Sequence, residues 1–168
     1  MSADSLTTTE YPEGFRRVAA ALFSLRHPHA PVWLEVAART SQEAADALGV
    51  SLGQIAKSVV FKRRSDGAAV LVITSGDRRV AEAKVATHTG PLGRADAEFV
   101  KAGTGFSIGG VSPLGFAGQA PLLFIDRELF RFDIIWAAAG HPNGVFKMTP
   151  AELEALTGAS VIDVVQDA

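Results

Sequence analysis

Residues 55–74 confine the fold more than any other stretch of this chain. Ile55-Ala56-Lys57-Ser58-Val59-Val60-Phe61 is largely apolar and β-prone, Ser65-Asp66-Gly67 is a turn signal, and Ala68–Thr74 returns as a second β-prone run. Two such runs about a tight turn predict a β-hairpin, which puts an antiparallel pair into whatever sheet the chain builds. The same stretch raises a question of charge. Lys57 stands among residues that ask for burial, so its ammonium either snorkels to water or points into a pocket.

The flanking sequence interleaves helices and strands without a regular βαβ cycle. Phe15, Val18, Ala19, Leu22 and Phe23 recur at helical spacing and predict an amphipathic helix over 13–25, broken by His27-Pro28-His29-Ala30-Pro31. Val32–Val36 reads as a short strand. Thr40-Ser41 with Glu43 reads as an N-cap, and Gly49 ends the helix that follows. After the hairpin come a turn at Ser75-Gly76-Asp77, a helix over Arg78–Thr87, and a second helix over Ala95–Ala102. Strands are expected at Pro121–Ile125, Ile134–Ala139, Val145–Met148 and Ser160–Val165. Before the last of these, Thr149-Pro150-Ala151-Glu152 carries a capping box with proline at the first helical position. Such an order predicts an α+β domain with a mixed sheet, spanning residues 13–168 behind a polar, flexible segment 1–12.

Composition enters as a set of exclusions. The chain has 168 residues, enough for a core without covalent staples, and is 48% hydrophobic and 20% charged. Lacking cysteine, it has no disulfide and no thiolate nucleophile. No apolar run approaches a membrane span and the N-terminus has no signal-peptide pattern, so a cytoplasmic protein with no membrane partner is the expectation. Net charge is −2, which weighs against a general nucleic-acid binder, yet residues 54–101 hold nine Lys/Arg against five acids. That middle third either presents a basic face to an anion or scatters its charge over the surface.

Few residues offer chemistry. There is no G-x-S-x-G elbow, no H-E-x-x-H and no P-loop. His27 and His29 lack an evident third ligand, so neither a metal nor a cofactor is expected. His88 and His141 remain as acid–base candidates or as plain structural residues. The densest glycine run, Gly103 to Gly115, is either an irregular loop or a set of backbone donors brought close to a ligand. A cation and backbone donors together would bind an anion or polarise a carbonyl, leaving water or the substrate to supply the nucleophile.

Several stretches together resemble the YbaK/ProX family, free-standing relatives of the editing domain inserted in bacterial prolyl-tRNA synthetases. They are Glu43–Val50, Gln54-Ile55-Ala56-Lys57-Ser58-Val59-Val60-Phe61, Ser75–Val80, Gly109-Gly110-Val111-Ser112-Pro113-Leu114-Gly115 and Leu153–Ala159, in matching order from about residue 40 to 165. The resemblance implies a single α+β domain whose mixed sheet curls toward a barrel and is flanked by helices. It implies hydrolysis of the ester joining a wrong amino acid to a tRNA, with the aminoacyl-tRNA acceptor end and an aminoacyl-tRNA synthetase as partners. Lys57 matches the family's functional lysine. Gly109, Gly110, Val111, Ser112 and Pro113 match its G-x-x-x-P loop, whose amides are expected to face the aminoacyl group. Gly140 and His141 fall where synthetase-linked members carry a G-x-H-like element, from which Gly140-His141-Pro142-Asn143 departs. Phe61, Val111, Leu114 and Phe116 are expected either as pocket walls or as core. Two other readings of the chain are a non-catalytic RNA-binding or synthetase-associated module and a DNA-binding protein. The net charge and the missing helix-turn-helix weigh against the last.

Overall fold

In the computed structural model, which describes residues 10–167, the hairpin forms as its sequence asks. Strand β2 (Ile55–Arg63) pairs antiparallel with β3 (Ala69–Ser75) from Ala56 opposite Ser75 to Lys62 opposite Ala69. Gly67, at φ +74°, makes the turn possible, and Arg63 and Ala68 close it by a backbone bond of 2.8 Å. Around this pair the elements follow as α1 (Glu13–Ser24), β1 (Val32–Trp33), α2 (Ser41–Leu48), α3 (Glu82–Thr89), β4 (Leu92–Arg94) and α4 (Ala97–Thr104). After them come β5 (Leu122–Asp126), β6 (Ile135–Ala138), β7 (Gly144–Met148), α5 (Pro150–Thr157) and β8 (Ser160–Ile162). Single 3-10 turns occupy Leu52–Gln54 and Arg127–Arg131.

All the strands belong to one mixed sheet, ordered β1-β7-β6-β2-β3-β5-β8, with β4 attached to β2. It is an α+β sheet with both parallel and antiparallel pairs, and it is open, ending in β1 and β8, not closed into a barrel. β3 is an interior strand, paired by β2 on one edge and β5 on the other, and is buried on both faces. Leu71 and Ile73 point into the larger core with Phe15, Leu22, Phe146 and Leu153, whereas Val70 and Val72 point to the opposite side with Val85 and Val164. A third cluster, Ala44, Ala45 and Ile55, seats α2 on that second side. Lys57 follows Ile55 at the strand's two-residue period and therefore faces the second side, between the α2 and α3 clusters.

Tertiary contacts redraw several sequence expectations. The helix expected from Arg78 starts at Glu82, because Val80 bridges Val165 and the Ala81 N–H donates to the Val164 carbonyl at 2.8 Å. The strand expected over Val32–Val36 stops at Trp33, after which Leu34 and Ala38 bond back to Asn143 and Pro142 as irregular chain. The last strand stops at Ile162, and Val164 turns inward to donate to the buried carboxylate of Asp126 at 2.9 Å. β4 was not anticipated, since three residues beside a proline and a glycine carry no period of their own. Of the expected flexible segment 1–12, residues 1–9 lie outside the described residues. Tyr11 packs its ring 5.0 Å from Phe15 and 5.4 Å from Trp33. Among the described residues no helix is long and apolar enough to cross a membrane.

Candidate functional site

The sheet has a slit in it. One edge of β2 is paired along its length by β3. The other edge meets β6 only at Ile55 and Ala56, and meets β4 only from Phe61 to Arg63. Among the described residues, no strand lies beside Lys57, Ser58, Val59 and Val60 on that edge. A cavity of about 200 Å³ opens there. Because the slit passes through the sheet, its walls come from both faces. Ile55, Lys57 and Trp136 contribute from the second side, while Ala56, Ser58 and Ala137 contribute from the side of the larger core. The irregular segment Ala38–Thr40, the start of α2, the glycine loop and the start of β7 complete the wall.

Lys57 is half-buried on this wall, and its ammonium donates to the carbonyl of Arg78 at 2.5 Å. Burial holds its pKa below the usual lysine range, the neighbouring Arg79 cation adds to that, and the Asp77 carboxylate opposes it. Two hydroxyls beside it have no hydrogen-bond partner although they are buried. One is Ser58 Oγ, next in sequence, and the other is Thr74 Oγ1, opposite Lys57 on β3. Among the described residues these are the buried side-chain polar atoms left unsatisfied, and both flank Lys57.

The glycine loop reaches the cavity through Gly109 and Val111. Gly109 sits at φ +92°. Gly110 has a steric reason of its own: a Cβ there would lie 2.7–2.9 Å from the backbone of His141. This close approach is how the loop and the Gly140-His141 segment come together. The Gly110 N–H donates to the Ser107 carbonyl at 3.1 Å, so it is already engaged. The N–H groups of Gly109 and Val111 have no partner among the described residues. Ser112 is fully buried and its Oγ accepts from the Leu114 N–H at 3.2 Å, bracing the loop from within. Pro113 and Leu114 are buried behind it, and Phe116 packs beside Phe106.

His141 lines the cavity. Its Nδ1 accepts from the Asn143 N–H at 3.1 Å, which places the proton of the neutral ring on Nε2, and its ring lies 4.9 Å from Trp33. Burial first, and the Arg39 guanidinium second, hold its pKa below 6.5, so the ring is neutral at pH 7. Gly140, at φ +84°, precedes it and is pressed against Gly14 of α1. Phe61 stands elsewhere, packed with the Val70–Val72 cluster outside the cavity. Arg39, Ser58 and Trp136 line the cavity without having been singled out in the sequence. Trp136 could have been found only through its register with Ile55. His88 lies against Phe124, away from the cavity. His27 donates from Nε2 to the Lys147 carbonyl at 2.8 Å, and among the described residues no three His, Cys, Asp or Glu side chains are grouped to hold a metal ion.

Residues 35–156, which contain β2, the glycine loop and His141, match the family model described as an aminoacyl-tRNA editing domain. The chain belongs to that family. The editing domain is 35% identical over 135 residues to the uncharacterized protein YwhH of Bacillus subtilis (strain 168), covering 79% of this chain and 85% of YwhH. It is also 32% identical over 128 residues to a proline–tRNA ligase of Nitratidesulfovibrio vulgaris (strain DP4), covering 73% of this chain but 22% of the ligase. A crystal structure described as that of a candidate trans-editing enzyme for prolyl tRNA synthetase superposes on the editing domain with a TM-score of 0.84. It is 40% identical and covers 94% of this chain and 99% of its own. The resemblance read from Lys57 and the glycine loop is therefore the right one.

Proposed function

We propose that this chain is a trans-acting deacylase that hydrolyses the ester between a wrong amino acid and the terminal ribose of a tRNA. The observation that carries the reading is the meeting of three groups on one cavity in a member of the editing family. They are Lys57, Gly109 and Val111, all lining residues, the last two with amide N–H groups that have no partner among the described residues.

Ester hydrolysis needs water to add to the carbonyl carbon, a site that favours the resulting oxyanion, and departure of the ribose oxygen with a proton. An aminoacyl ester is already activated, so charge stabilisation matters more than a protein nucleophile. Ser112 is buried and bonded within its own loop and supplies none. The free amides of Gly109 and Val111 suit a developing oxyanion or the aminoacyl carbonyl. Lys57 suits the electronegative groups of the terminal nucleotide and the ester. His141, a neutral residue of the same wall, carries its proton on Nε2. The small cavity distinguishes aminoacyl groups by girth, and one methylene is worth about 1–3 kcal/mol in such a pocket. This weak discrimination is the reason a separate clearing step is useful. The acceptor end of an aminoacyl-tRNA is the partner this chemistry requires, and the ligase match makes a prolyl-tRNA synthetase the partner enzyme to test first.

A panel of mischarged tRNAs tests the proposal. Wild type releases at least one amino acid well above the spontaneous rate, and Lys57→Ala slows that release by about 100-fold or more. Urea unfolding shifts by less than about 1 kcal/mol, because a side chain at an open wall leaves little unsatisfied when truncated. Lys57→Arg also fails, since a planar guanidinium is too wide for the ammonium's place. Equal background release by wild type and Lys57→Ala on every tRNA would leave a non-catalytic binding module.

A further inference from the structure

The acceptor that holds Lys57 lies in a segment with no regular structure of its own. Arg78 belongs to the connection between β3 and α3, and its carbonyl faces the Lys57 ammonium at 2.5 Å. The connection begins with a turn in which the Arg78 N–H donates to the Ser75 carbonyl at 3.0 Å. Arg131, from the 3-10 turn after β5, grips that turn. Its Nη2 donates to Asp77 Oδ1 at 2.9 Å and to Ser75 Oγ at 3.0 Å, and its Nη1 reaches Asp77 Oδ2 at 3.3 Å. Ser75 is fully buried and passes its own proton to the Gly53 carbonyl at 2.6 Å. The guanidinium is itself held, by the Glu128 carbonyl at 2.7 Å and by the Phe132 ring 4.8 Å beneath it.

An exposed ion pair adds little to stability. This one differs in kind, because the fork is two-pronged, carries a third bond to a buried hydroxyl, and ends one residue from the Lys57 acceptor. We propose that Arg131 is a positioning residue for Lys57, fixing the Arg78 carbonyl through Asp77 and Ser75 and thereby the place of the ammonium on the cavity wall. The consequence for catalysis rests on the deacylase reading above, while the consequence for the lysine does not. A displacement of order an ångström at a reacting group costs up to about 100-fold in rate, so a loosened acceptor is felt in kcat before KM.

The test uses the full chain with isotope-labelled lysine. Exchange of the Lys57 ammonium protons with water is read by NMR, and kcat and KM on the best mischarged tRNA are read beside it. Arg131→Gln is expected to speed that exchange about fivefold or more and to lower kcat about tenfold with KM held within about twofold. Asp77→Asn does the same, and the double variant loses no more than the worse single one, because both act through one contact. Arg131→Lys, which keeps the charge and one prong, recovers part of the loss. Should Arg131→Gln not fold, the isosteric Asp77→Asn carries the same readings. Unchanged Lys57 exchange in a folded variant overturns the proposal, as does a double variant whose losses multiply. Faster exchange in a protein whose wild type clears no tRNA supports the positioning role and removes the deacylase reading instead.

Discussion

At the scale of single residues, the cavity wall is set by what cannot be added or charged. A methyl group on Gly110 would collide with the His141 backbone, so the two loops meet only because that position is glycine. His141 is kept neutral by burial and by Arg39, and this has a consequence for stability. With its folded pKa below 6.5, the unfolded chain binds a proton that the folded chain does not. The stability this group contributes is therefore present above pH 6.5 and is lost as pH falls through the lowered folded value. Urea unfolding across a pH series should show wild type falling through that window and His141→Gln falling less. Lys57 was legible in the sequence because apolar neighbours made its charge conspicuous. Arg39, Trp136 and Arg131 were not, because nothing adjacent to them in the chain distinguishes them from ordinary surface or core residues. Their roles come from distant partners: Ile55 for Trp136, Asp77 for Arg131.

Whole elements were legible where their ends are chemically marked. α5 is bounded by the capping box of Thr149 and Glu152, with bonds of 3.0 and 2.8 Å, and by Gly158 at φ +67°. Each feature is visible in the residues themselves. Thr149→Ala removes the side-chain acceptor for the Glu152 N–H and should lower unfolding free energy by about 1 kcal/mol in urea. No residue of α5 lines the cavity, so the proposed deacylation, measured well below the unfolding midpoint, should stay near wild type. α3 shows the opposite case. Its apolar spacing extends back to Val80, but the C-terminal chain claims Arg79 to Ala81 for backbone bonding, and the helix starts later. Local periodicity cannot register a competitor that arrives from the far end of the chain. β4 is a three-residue strand that exists because β2 offers it an edge.

For the molecule as a whole, the hairpin and the irregular order of helices and strands were sufficient to exclude a doubly wound parallel sheet. Strand order and the place where β2 loses its neighbour lay beyond that reading, since both depend on which distant segments win the competition for an edge. The slit has a mechanical meaning. The strands β1, β7 and β6 form one plate, the strands β2, β3, β4, β5 and β8 form another, and the direct seam between them is two residue pairs, Ile55 with Trp136 and Ala56 with Ala137. Amides of Lys57–Val60 that face the slit should exchange with solvent faster than those of Leu71–Ile73, which are paired on both edges of their strand, as hydrogen-exchange NMR would report. What holds the two plates at their spacing is the core beneath them, where Leu71 and Ile73 from one pack in the same cluster as Ile135, Ala137 and Phe146 from the other, so a change of side-chain volume there should be felt as a change in the girth the site accepts.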